Sequence, residues 1–163
     1  MVTTPPTSKE SEDHFRQHFP KSSDLTLIVL KGHLLIEEAV NSFISNLMPN
    51  PDALKATRLD CFQRIRLLRA LLPMRDFYGD LDAVEKLNTL RNKFAHNLNP
   101  AQIEDQIEIF VRLFEDPEIP IAEFQREPLD HRLKRSIGFL CGQLYGIQKG
   151  YVSVQAVRRE KND

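Results

Sequence analysis

Six consecutive residues, Arg91-Asn92-Lys93-Phe94-Ala95-His96, bring a permanent cation, an amide and an imidazole together within two helical turns. Arg91 is charged at any relevant pH, and its planar fork matches phosphate oxygens. His96 exchanges a proton near neutrality and so suits general acid or base work. Asn92 can donate to a phosphate oxygen or orient the imidazole, and Lys93 and Asn88 are placed to support it. In RNA cleavage the substrate brings its own nucleophile, the 2′-hydroxyl. The protein then needs only a proton carrier and a cation for the charge developing on phosphorus. That chemistry calls for no metal and no cofactor, and no residue spacing in the chain suggests either.

The element that carries these residues reads as an amphipathic helix capped by Asp80 and closed at Asn99-Pro100. At about 100° per residue, Ala83, Leu87, Leu90, Phe94 and Leu98 form one apolar stripe. Asn88, Asn92 and His96 form an i, i+4, i+8 line on another face, with Arg91 at the boundary. Arg91 and His96 lie about 140° apart on this projection. One such helix is a shelf; two across a twofold axis make a groove with two Arg/His pairs. The competing explanation is local, since a cation and a histidine late in a helix both complement its dipole.

The rest of the chain supplies helices to bury that stripe. Residues 1–22 read as a tail with at most a short helix over Glu10 to His18, and residues 158–163 as a second polar tail. Between them, residues 23–157 read as one helical domain. Ser22-Ser23-Asp24 offers a cap for a long helix to Leu47, stopped by Met48-Pro49-Asn50-Pro51. Thr57 is the expected cap of a helix ending at Leu72-Pro73. Pro100 opens another that reaches Phe114, and a last one runs from Asp130 towards Ala156. Gly138, Gly142, Gly146 and Gly150 mark one stripe of this last helix, which permits close approach of another. No alternating apolar–polar run argues for a strand. The fold class expected is all-α, an up-down bundle of four to five main helices.

The helix beginning at Leu25 is apolar over more than half its circumference, so it is either the centre of the bundle or shared with a second subunit. A homodimer through it is one expectation. His33 and Glu37, spaced i and i+4 on it, should face each other and line any groove. The formal net charge is -1, yet charge is unevenly placed. Lys55 to Arg75 is basic, and Ala101 to Glu127 is acidic. Either Arg58, Arg66 and Arg69 track nucleic-acid phosphates, or the basic helix is a solvated face that pairs with the acidic one. The isolated Cys61 and Cys141 read as small buried hydrophobes in a reducing compartment. No apolar run is long enough for a membrane span, and the expected location is cytoplasmic.

The hexad resembles the signature of the HEPN superfamily, an Arg followed by a polar residue and then a His four to six residues beyond the Arg. Leu34-Leu35-Ile36-Glu37-Glu38-Ala39, Phe62-Gln63-Arg64-Ile65-Arg66-Leu67-Leu68 and Leu87-Asn88-Thr89-Leu90-Arg91-Asn92 are similar to the mannitol-operon-repressor-like and related bacterial groups. The likeness covers about residues 24 to 116. It implies a bundle that dimerises to form one cleft from two Arg/His motifs. In active members this cleft is a metal-independent endoribonuclease site, often in toxin–antitoxin or antiviral systems. By motif position Arg91 and His96 would then be catalytic and Asn92 supporting, with RNA as substrate and an antitoxin or regulatory protein as partner. Other members do not cut and serve as nucleotide-binding or transcription-regulating modules. The subgroup paired with nucleotidyltransferase antitoxins has a Tyr two residues after the His. Leu98 stands there in this chain, which argues against modification by such an antitoxin.

Overall fold

The structure is a computed structural model that describes residues 8–55, 57–72, 77–96, 101–115, 118, 123 and 125–160. Among these, every regular element is helical and no strand occurs. In chain order the helices are α1 (Ser8–His18), α2 (Leu25–Leu47), α3 (Asp52–Lys55), α4 (Cys61–Leu71), α5 (Tyr78–His96), α6 (Ala101–Val111) and α7 (Leu129–Glu160). A 3-10 turn over Arg112–Phe114 extends α6. Among the described residues, no helix is long and apolar enough to cross a membrane.

The boundaries follow from local chemistry. Asp24 caps α2 by accepting from the Leu27 amide, while Ser22 Oγ accepts from the Asp24 amide. The cap of α4 lies three residues later than expected, at Asp60 instead of Thr57. Asp60 accepts from the Gln63 amide at 2.8 Å, and Gln63 Oε1 accepts from the Asp60 amide at 3.0 Å. This reciprocal box satisfies two amide donors that would otherwise lack partners. A Thr57 cap would not do so, and the Thr57 amide instead bonds to the Leu54 carbonyl behind α3. The Pro73 and Asn99-Pro100 stops lie outside the described residues.

Of the two readings of α2, the central one is observed: α2 packs against α1, α4, α5 and α7. Ile28, Val29, Ile36, Ala39, Val40 and Phe43 are sealed from solvent, and Leu34 is the large apolar side chain of α2 left most exposed. From α5, Leu81, Ala83, Val84, Leu87 and Leu90 enter the same core, with Phe94 half-buried at its edge. Full burial of such a side chain contributes about 1.5–3 kcal/mol, against about 1 kcal/mol for a cap. The core therefore decides the fold, and the caps decide where each helix begins.

The contacts seen for α4 among the described residues are not with the acidic segment that the solvated-face reading expected. The cations of α4 turn to the helices they pack on: Arg64 to Glu37 of α2, and Arg69 to Asp82 and Glu85 of α5. Glu108 of α6 and Glu115 just after it are taken by α7 instead. Arg132, 2% exposed, bonds to Glu108 at 2.9 and 3.0 Å and to Glu115 at 2.7 Å. A cation so deeply buried needs those partners, and they draw the acidic helix onto α7.

α1 is held against α2 and α7. Phe15 stacks on Phe19 with ring centroids 4.5 Å apart, and His14 bonds to Glu38 of α2. α2 approaches α7 closely at Gly32, where an added Cβ would lie 2.7 and 2.9 Å from Ile137 Cδ1 and Cγ2. The Cδ1 end can rotate away, but Cγ2 is fixed by the backbone of α7. Gly32→Ala should therefore lower stability by about 1–3 kcal/mol through overpacking. A urea melt followed by circular dichroism checks this.

Candidate functional site

α2 is buried on several sides but carries polar groups at His33, Glu37 and Asn41, and these must find partners in neighbouring helices. His33 is 4% exposed, and its Nε2 bonds to Asn88 Oδ1 on α5 at 3.0 Å. Arg64 on α4 donates from Nη1 to Glu37 Oε1 at 3.2 Å and to Asn41 Oδ1 at 2.8 Å. Three helices thus meet in one polar cluster. Arg91 belongs to it electrostatically, since its charge acts on both His33 and the Cys61 thiol.

An amide oxygen only accepts, so His33 Nε2 must carry the hydrogen it shares with Asn88. The imidazole then presents a bare lone pair at Nδ1, which has no hydrogen-bond partner. Glu37 Oε2 lies 3.9 Å from that nitrogen, too far to be one. The expected facing of His33 and Glu37 is therefore real but loose. Burial holds the His33 pKa below its ordinary value of 6.5 despite the opposing pull of Asn88 and Glu37, and Arg91 adds to the lowering. His33 is neutral at physiological pH.

The same reasoning applies one turn along α5. Arg91, half-buried, donates from Nη1 to Asn92 Oδ1 at 3.0 Å. The side-chain carbonyls of Asn88 and Asn92 are thus both occupied by donors, one from His33 and one from Arg91. Each oxygen thus has one of its two lone pairs engaged, and each amide also carries an NH₂ group, a pure donor. With the remaining guanidinium hydrogens of Arg91, this face of α5 presents donors and positive charge. Its chemistry suits an anion that accepts several hydrogen bonds, as phosphate does.

The other expected residues are distributed as follows. His96 is the last residue of α5, and its side chain lies outside the described part of the structure. Lys93 turns away from the asparagine line and donates to Gln106 Oε1 on α6 at 2.7 Å. Arg69 is engaged with α5 carboxylates. Arg58 and Arg66 are exposed, and Arg66 sits over the Phe62 ring at 4.4 Å. The described cations of this segment therefore split into Arg64 and Arg69, which lock helices together, and Arg58 and Arg66, which face solvent. Among the described residues, no group of three or more His, Cys, Asp or Glu side chains is arranged to hold a metal ion.

Arg64, Asn41 and Cys61 join the site although the hexad gives no hint of them. The available signal is the i, i+4 pair Glu37 and Asn41 on an otherwise apolar helix. A carboxylate there calls for a cation, and Arg64 is the one within reach. Burial and the nearby Glu37 carboxylate push the Cys61 thiol up to about 11, so it stays protonated and is no nucleophile. Comparison with protein-family models, with curated proteins and with solved structures finds no match for this chain.

The pH dependence follows from His33. A lowered folded-state pKa means that the unfolded chain binds this proton more readily. Stability is then full above the ordinary value of 6.5 and is lost as pH falls from there towards the lowered folded-state value. Denaturant midpoints at pH 7.5 and 5.5 should differ in the wild type, and by less in His33→Gln, which retains a donor for Asn88. An unchanged pH difference in that variant would move the effect elsewhere.

Proposed function

We propose that the chain is a HEPN-like RNA-binding protein whose α5 face holds a phosphodiester through Arg91, Asn92 and Asn88, with His96 as the proton carrier for metal-independent cleavage. The observation that carries this reading is the group of side-chain donors beside the Arg91 charge on the α5 face. Each asparagine carbonyl already accepts one donor, so the NH₂ groups and the remaining guanidinium hydrogens dominate the face and favour an acceptor-rich anion. Arg91 clamps the phosphate, and Asn92 and Asn88 fix its orientation. His96, four residues beyond Asn92, takes the 2′-hydroxyl proton or returns one to the leaving oxygen. A homodimer would set two such faces across one cleft, as in the up-down HEPN-like bundle that the motif resembles. Toxin or defence roles, with an antitoxin or regulatory partner, are the settings in which an RNase of this kind operates.

A second reading is favoured by a specific feature. His33, the histidine of the polar cluster, is buried and neutral with its free nitrogen turned towards Glu37. It orients Asn88 instead of meeting substrate. If His96 proves dispensable, the face is a non-catalytic nucleotide- or RNA-binding module.

The experiment separates binding from cleavage. Arg91→Ala should weaken binding of single-stranded RNA by roughly 10- to 150-fold, the value of a charge-assisted hydrogen bond. It should also reduce the salt dependence of log K by about 0.7 for each phosphate that is no longer neutralised. His96→Ala should abolish cleavage in EDTA while leaving affinity within about twofold of wild type. Cleavage unchanged in His96→Ala would refute the catalytic assignment. RNA affinity unchanged in Arg91→Ala would refute the site itself.

A further inference from the structure

Phe62 is the large apolar side chain of α4 left most exposed, at 39%, on a helix whose Ile65 and Leu68 are sealed in the core. Its ring carries a cation: the Arg66 guanidinium carbon lies 4.4 Å from the ring centroid, one turn along the helix. An exposed contact of this kind contributes little to a fold. The ring is also an isolated apolar spot, because the exposed residues beside it on α4, Gln63 and Arg66, are polar. It is too small for an apolar protein partner, which needs a contiguous patch. It is the size of one nucleobase.

Helical register sets this ring beside the α5 donors. Arg69, near the end of α4, reaches Asp82 and Glu85 near the start of α5. At the other end, the charge of Arg91, late in α5, acts on the Cys61 thiol at the start of α4. The two helices therefore pack antiparallel. Phe62 stands two turns before Arg69 on the same flank of α4, about 10.5 Å back along the axis. The same distance onward from Asp82 and Glu85 leads to Thr89 and Asn92. Phe62 is thus level with Asn92, on the flank of α5 that continues to His96.

We propose that Phe62, backed by Arg66, is a stacking platform for a base of single-stranded RNA whose phosphate is held by Arg91, Asn92 and Asn88. This deepens the phosphodiester reading of the α5 face and rests on it. Every base has a π-face, so the platform accepts any of the four without reading their edges. It selects strandedness instead, because the bases of a duplex are stacked on one another and cannot reach a ring on the protein. Arg66, and the exposed Arg58 just before α4, place positive charge where the strand continues past the platform.

The experiment compares two oligonucleotides that lack 2′-hydroxyls and so resist the proposed cleavage: one with bases, and one abasic strand with the same number of phosphates. Binding is read by fluorescence anisotropy, with circular dichroism to monitor the fold. Phe62→Ala should weaken the base-carrying strand roughly 5- to 150-fold and leave the abasic strand within about twofold of wild type. Arg91→Ala should weaken both strands. The chain contains no tryptophan, so Phe62→Trp reports from this position alone. Its emission should be quenched by the base-carrying strand and not by the abasic one. A Phe62→Ala variant that binds both strands as wild type does, or a Phe62→Trp emission that does not respond when the base-carrying strand binds, would overturn the platform and leave the α5 reading standing. A wild type that binds neither strand would overturn both.

Discussion

α2 is enclosed by other helices, and that enclosure governs the polar contacts of the molecule. Each polar side chain on an enclosed helix must be matched from outside, and α2 obtains one such match from each of α1, α4, α5 and α7. Glu38 meets His14 of α1, Glu37 and Asn41 meet Arg64 of α4, His33 meets Asn88 of α5, and Ser42 accepts from Gln148 of α7. Apolar packing supplies most of the free energy but little direction, since one ridge can slide along another. The polar pins supply the direction. The part-buried pins to α4, α5 and α7 fix their neighbours' registers, because a slip of one residue would strand a donor or acceptor, whereas the His14–Glu38 pair lies in solvent.

The functional face inherits its character from one of these pins. His33 is almost wholly buried in the folded chain, yet it decides which end of the Asn88 amide faces out. By donating to Oδ1 it turns the NH₂ group outward, beside Arg91. Burial, with a smaller contribution from Arg91, keeps His33 neutral, and the hydrogen on its Nε2 is what orients Asn88. The cluster is thus self-consistent: Arg91 helps keep neutral the imidazole that orients its neighbour.

Much of this was legible in the chain. The all-α class, the central place of the Leu25–Leu47 helix, its Asp24 cap and its stop at Met48-Pro49 follow from apolar periodicity and from local turn chemistry. The alignment of Asn88, Asn92 and Arg91 followed from helical geometry. Long-range pairing was not legible. Reading the basic α4 against the acidic α6 rested on charge totals, whereas proximity decides, and the nearest carboxylates to Arg64 and Arg69 lie on α2 and α5. Thr57 and Asp60 are both capping types, and the Gln63 side chain selects between them. The glycines of α7 could be seen as a stripe, but only packing shows that Phe15 of α1 covers Gly138.

The central claim is that Asn88 and Asn92 present donors outward next to Arg91. It is tested most directly by following their side-chain NH₂ resonances by NMR during titration with a dinucleotide whose 2′-hydroxyl is replaced by hydrogen, so that it binds without being cut. The account predicts that both amides and the Arg91 guanidinium shift together and saturate at one affinity. Amides that stay fixed while the shifts gather at Arg58 and Arg66 would contradict it and would move the anion site to the solvent-facing cations at and before α4.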